Sequence, residues 1–101
     1  MSRKRSTRSQ SRHDKATQKR AEQLQRQGFE VKADLKGFKQ PDTIRGLRPD
    51  IDARKGKQRV IVEVETPESK DDRRAQRQES AFGGAAKRSP TTRFEKIVTD
   101  K

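Results

Sequence analysis

The chain has 101 residues, with 27 Lys and Arg against 15 Asp and Glu, a net charge of +12, and 25% hydrophobic residues. This length holds one domain at most, and its core must be thin, because a chain this short buries only roughly 60 to 70% of its unfolded surface. The absence of cysteine excludes disulfides, thiolate catalysis and thiolate metal ligation.

Leu, Ile, Val and Phe together number 16, a share that, at this net charge, borders on the composition of disordered chains. Their clustering into short runs with strand period argues instead for a folded domain. The positive charge implies a polyanionic partner, drawn in by counterion release, and nucleic acid is the default. A membrane surface competes poorly, since no stretch approaches the roughly 18 apolar residues of a span and no basic helix carries a strong apolar face. The N-terminus lacks the apolar region of a secretory signal, so a cytoplasmic location is expected, with the nucleoid or a phage-infected cytoplasm as settings.

Residues 1–13, MSRKRSTRSQSRH, carry five basic residues, no acids and no apolar residue beyond Met1. They read as a disordered basic arm, with the domain spanning 14–101. Ser11 followed by Asp14 offers a capping box for a helix through KATQKRAEQLQRQ, stopped at Gly28. Its apolar side, Ala16, Ala21 and Leu24, is enough to cover a sheet but not to build a core. FEVKADL, 29–35, alternates apolar and charged residues and reads as a half-buried strand. The following segment holds Gly37, Pro41 and Gly46 and reads as a loop.

RPDIDAR is then a short second strand, and KGK, centred on Gly56, is a hairpin turn into RVIVEVET, the most apolar strand of the chain. Pro67 ends it. The stretch 68–82, ESKDDRRAQRQESAF, predicts a second helix stopped by Gly83-Gly84, with Ala75, Gln78 and Phe82 on one face. RFEKIVT, 93–99, gives a fourth strand. The order is α-β-β-β-α-β.

Three carboxylates stand out against this basic background. A tight hairpin brings Asp50 alongside the end of the third strand, where Glu63 and Glu65, two residues apart, share one face of the sheet. Mutual repulsion would raise their pKa values unless a cation neutralises them. A hard divalent ion such as Mg²⁺ or Mn²⁺ takes oxygen ligands, activates water and stabilises charge on a phosphodiester, so the chemistry indicated is phosphodiester hydrolysis. The competing reading is structural: acids along an edge strand block aggregation or pair with nearby Lys and Arg.

With Pro49-Asp50 in RPDI and Glu63-Val64-Glu65 in VIVEVET, residues 14–99 resemble a minimal member of the PD-(D/E)xK nuclease superfamily. That superfamily includes restriction endonucleases, archaeal Holliday-junction resolvases and RecB-type nucleases. QESAF adds Gln78 and Phe82, similar to the Q-x-x-x-Y element of RecB-type enzymes. The resemblance implies an α/β (α+β) restriction endonuclease-like core, with a mixed four-stranded sheet flanked by helices.

It further implies a DNA endonuclease dependent on Mg²⁺ or Mn²⁺, with Asp50, Glu63 and the Val64 carbonyl as metal ligands and Glu65 and Gln78 in catalytic positions. Glu65 departs from the pattern, since lysine is usual there. It can serve as ligand or general base, or it can mark a member that has lost catalysis and only binds nucleic acid. Lys55, Lys57 and Lys70 are the nearest lysines in sequence that could replace the missing one.

Arg48, Lys55, Lys57, Lys70, Arg73, Arg74 and Arg77 are candidate phosphate contacts, each with a solvated surface charge as its alternative. Phe82 reads more naturally as core than as site, and Gln78 as either substrate contact or sheet margin. Resolvase-like members often carry an early acidic residue on the first helix, for which Glu22 is the only candidate after Asp14; its register relative to Gly28 is late and it is assigned no catalytic role, and His13, the lone histidine, is placed in the arm and given none. A homodimer fits a small core and a site that cuts one strand. A basic protein of ribosomal type that folds on binding is a third reading, and it leaves the ordered carboxylates unexplained.

Overall fold

The computed structural model describes residues 7–99. Its elements follow the expected order: α1 (Thr7–Arg26), β1 (Glu30–Ala33), β2 (Ile51–Lys55), β3 (Gln58–Glu65), α2 (Arg73–Lys87) and β4 (Thr92–Val98). The four strands form one sheet in the order β1-β2-β3-β4. β1 pairs antiparallel with β2 and β2 with β3, while β4 joins β3 in parallel after the α2 crossover, so the sheet is mixed.

The period-2 alternation of β3 divides the molecule into two faces. Val60, Val62 and Val64 pack with Ile51, Ala53 and Ala33 against Ala21 and Leu24 of α1, forming the larger core. Ile61 packs on the opposite face with Ala81 and Phe82 of α2. There the Phe82 and Phe94 rings meet at 6.0 Å, tilted by 57°, within the preferred range for aromatic pairs. Phe82 is thus a core residue.

Two tight turns lie at the end of the hairpin away from Asp50 and Glu63. After α1, Gly28 adopts φ +94°, and the amides of Gly28 and Phe29 turn back to the carbonyls of Gln25 and Leu24, a glycine helix stop. In the hairpin, Lys55 pairs with Gln58 around Gly56, whose φ of 59° is the positive value a two-residue turn requires at its first position.

Several boundaries differ from expectation. α1 begins at Thr7, ahead of the expected start near Asp14, so His13 belongs to the helix; residues 1–6 of the expected arm lie outside the described residues. β1 and β2 are shorter than their apolar patterns: Asp34 leaves the ladder to donate its amide to the Asp50 carbonyl, and Arg48 to Asp50 precede β2. α2 starts at Arg73, where the Asp72 carboxylate accepts the Ala75 amide at 2.8 Å as N-cap. It runs through Gly83 and Gly84 to Lys87. Two interior glycines cost about 1 kcal/mol each, but Ala81, Phe82 and Ala85 on the same helix dock on the sheet, and that packing outweighs local propensity.

Candidate active site

Asp50 sits one residue before β2, and the β2–β3 register pairs Ile51 with Val62, which brings Asp50 beside Glu63. The three carboxylates are nearly sealed from solvent: Asp50 is 8% exposed, Glu63 4% and Glu65 3%. Glu63 and Glu65 alternate with the valines of the larger core and therefore face the α2 side of the sheet. The α1 face supplies rigidity, and the opposite face of the same strand carries the acids.

Hydrogen bonds fix two of the three. Asp50 Oδ2 accepts the Val64 amide at 2.8 Å, which ties the residue before β2 to the end of β3. Asp50 Oδ1 lies 3.2 Å from His13 Nε2, and the other ring nitrogen of His13 is 3.3 Å from Asp14 Oδ1. Glu65 Oε1 accepts from the Ser69 hydroxyl at 2.6 Å, and Ser69 Oγ also receives the Thr66 amide, so a turn after β3 holds Glu65 in place.

Glu63 differs. Its Oε1 is buried without a hydrogen-bond partner. Burial, then the neighbouring charge of Asp50, then the hydrogen bonding and charge of Glu65 push its carboxyl up to about 11. Without a cation, these surroundings favour the protonated form of Glu63. An unpartnered buried oxygen is costly, and a cation placed there would relieve both the desolvation and the repulsion.

Among the described residues no group of three or more His, Cys, Asp or Glu side chains forms a ready-made metal cage. A Mg²⁺-type ion does not need one, because it commonly takes one or two carboxylates and completes its shell with water and substrate phosphate. The all-oxygen donors of Asp50 and Glu63 fit such an ion, with the orphaned Glu63 oxygen as the open ligand. The Val64 amide is engaged with Asp50.

The other residues singled out in the sequence divide by surroundings. Gln78 is buried on α2, 3% exposed, one turn before Phe82. Arg48 donates to the Pro41 carbonyl, and Lys55 reaches the Gln27 carbonyl at 2.9 Å while standing 5.9 Å over the Phe29 ring, so both have intramolecular partners. Lys57, Lys70, Arg73, Arg74 and Arg77 are exposed, and Arg73 and Arg77 line an open cleft with Gln76 and Ser80. Glu22 is exposed on α1.

Sequence reasoning missed His13. It is buried, 6% exposed, in line with Thr17, Ala21 and Leu24 on one stripe of α1. The spacing of 4, 4 and 3 was the available signal, obscured because the helix was begun too late. It also passed over two charge pairs that lock the frame. Arg59 grips buried Asp52 through Nε at 3.0 Å and Nη2 at 2.8 Å, a hydrogen-bonded contact that raises the Arg59 pKa. Arg20 of α1 grips Glu95 of β4 through Nε at 3.0 Å and Nη2 at 2.7 Å. Burial pushes the Glu95 carboxyl up, but the hydrogen bonds and charge of Arg20, with those of Arg93, outweigh it and leave it lowered.

Among the described residues no helix is long and apolar enough to cross a membrane. No curated protein and no solved structure matches the chain. The AHJR-like family model, described as REase_AHJR-like, matches residues 5–101. Restriction endonuclease-like folds generally work on nucleic acid with divalent metals, in keeping with the order of elements, the mixed sheet and the acid cluster described above. The chain belongs to the AHJR-like family of restriction endonuclease-like proteins.

Proposed function

We propose that the protein is a metal-dependent DNA endonuclease whose site is the Asp50, Glu63 and Glu65 cluster, served by Mg²⁺ or Mn²⁺. One observation carries this reading: Glu63 is buried with an orphaned carboxyl oxygen beside two further carboxylates, in a protein of net charge +12. A purely structural acid in such a protein would be expected to face one of the abundant Lys or Arg side chains, as Asp52 faces Arg59.

Asp50 and Glu63 would hold the ion, with the Val64 carbonyl as an additional ligand. A divalent ion held there would lower the pKa of a bound water and would offset charge on the phosphodiester. Asp50 is aimed by the Val64 amide and by His13. Glu65, fixed by Ser69, accepts a proton from the attacking water or orients it. Gln78, buried on the same side of the sheet, positions the substrate. Lys57, Lys70, Arg73, Arg74 and Arg77 contact backbone phosphates, which supplies affinity without sequence preference. Arg48 and Lys55, already engaged within the chain, contribute through what remains of their donor capacity. Specificity comes from DNA shape or from a homodimer that presents two sites.

A second reading, a nucleic-acid-binding module without catalysis, is favoured by Glu65 standing where lysine is usual and by the occupation of both Asp50 oxygens. Plasmid and branched DNA incubated with Mg²⁺ or Mn²⁺ separates the two. Wild type should cleave, and Asp50→Ala and Glu63→Ala should not. Cleavage surviving both substitutions removes the site assignment, and DNA binding without cleavage by wild type supports the second reading.

A further inference from the structure

The carboxylate cluster faces an electrostatic problem that its described partners do not solve. A phosphodiester brought to Asp50, Glu63 and Glu65 adds negative charge, and the transition state gathers more of it at the same point. One divalent ion offsets two charges. A cation on the same face would offset the remainder, and β4 carries one.

The parallel register of β3 and β4 pairs Glu63 directly with Lys96. In parallel strands such partners project from the same face of the sheet. The neighbours of Lys96 confirm which face this is. Phe94, two residues earlier, meets Phe82 of α2, whereas Glu95 reaches Arg20 of α1 and Ile97 packs in the α1-side core. Lys96 therefore emerges on the carboxylate side, near enough that the charge of Glu65 contributes to raising its pKa, after the larger effect of its hydrogen bond to Glu79.

Its present partners are not members of the carboxylate cluster. Lys96 Nζ is 2.5 Å from Glu79 Oε1 and 2.9 Å from the Lys70 carbonyl. Glu79 is partly exposed, and an ion pair of this kind contributes little to stability, so a phosphate can take its place. The lysine stem has the length and rotational freedom to make that exchange.

We propose that Lys96 is the cation that engages the substrate phosphate at the Asp50–Glu63–Glu65 cluster, with Glu79 and the Lys70 carbonyl as its partners in the absence of substrate. This rests on the nuclease reading of the site. It assigns the charge-stabilising role to β4, a strand brought to Glu63 only by the α2 crossover, and not to Lys55, Lys57 or Lys70.

Two measurements test it. In single-turnover cleavage at saturating DNA with Mg²⁺, Lys96→Met should slow the reaction about a hundredfold, the size expected for losing one donor to developing charge. Lys96→Arg should recover part of that loss. Glu79→Gln, which breaks the same ion pair and keeps the ammonium, should remain within about twofold of wild type on that scale. An equal loss in Glu79→Gln and Lys96→Met would make the pair structural and overturn the assignment.

The second measurement needs no cleavage. With Ca²⁺ replacing Mg²⁺, DNA affinity is compared in wild type, Lys96→Met, Asp50→Ala and the double variant. Lys96→Met should weaken binding several-fold in the wild-type background and have little effect beside Asp50→Ala, because both residues act on one phosphate. If wild type cuts no DNA but this coupling is present, the nuclease reading fails and Lys96 keeps its role as a phosphate contact. If the coupling is absent, the Lys96 assignment fails whether or not DNA is cut.

Discussion

The two faces of the central sheet are built from alternate residues of the same strands yet obey opposite rules. Toward α1, β3 presents Val60, Val62 and Val64 to a continuous apolar layer with Leu24 and Ile51. Toward α2, it presents Ile61 to a small cluster around Phe82 and then leaves the apolar layer, placing Glu63 and Glu65 beside Asp50. One face gains stability by excluding water from apolar groups. The other spends some of it to keep acids apart from water, and the raised pKa of Glu63 is the sign of that cost. The acid cluster lies where the apolar layer of the α2 face ends.

The sharpest way to break the comparison is to remove acids from the α2-facing side. Asp50→Ala and Glu63→Gln should each lower DNA cleavage below about a hundredth of wild type while leaving a cooperative unfolding transition, checked by gel assay and circular dichroism. The converse change on the other side is Leu24→Ala. It should cost roughly 2–5 kcal/mol, as burial of this size predicts, read from denaturant midpoints, with cleavage retained by the molecules that stay folded.

The pH dependence of stability sharpens the contrast further. Unfolded Glu63 releases its proton near 4.5, while the folded residue keeps it until about 11. Between those values the unfolded state binds fewer protons, so its contribution is fully present below 4.5 and is lost as pH rises. Melting of metal-free protein from pH 5 to 8 should show this fall, and Glu63→Gln should flatten it. Added Mn²⁺ should raise the melting temperature more at pH 8 than at pH 6, because binding must displace that proton. A pH-independent metal effect would remove Glu63 from the ligand set.

The smallest expected effect lies on the outer surface of α2. Arg77→Ala should weaken DNA binding modestly across all sequences and reduce the slope of log affinity against log salt by about 1. An unchanged slope would make Arg77 a solvated charge.

Much of this organisation was legible in the chain. β3 was evident because its valines and acids alternate with strand period, and the same alternation placed Glu63 and Glu65 on one face. Asp50 followed from the hairpin, whose Gly56 turn sets the register. His13 was hidden because its stripe mate Thr17 is polar and the arginine-rich start of α1 resembles a disordered arm in composition; tertiary contacts such as His13 with Asp50 and Arg12 with Glu68 give the helix a reason to extend that far. The Gly83-Gly84 pair misled for a related reason, since local cost was visible and the docking of Phe82 on Ile61 was not.

The sequence by itself determined the kinds and order of the elements, the two-faced character of β3 and the three acids, because these depend on periodicity and on turns between neighbours in the chain. Tertiary structure decided what surrounds those acids: His13 on Asp50, Ser69 on Glu65, the orphaned oxygen of Glu63 and the register that sets Lys96 against Glu63. Glu63 and Lys96 are separated by the whole α2 crossover. Their pairing follows from how α2 packs on the sheet, a long-range balance of burial that no local pattern in either strand records.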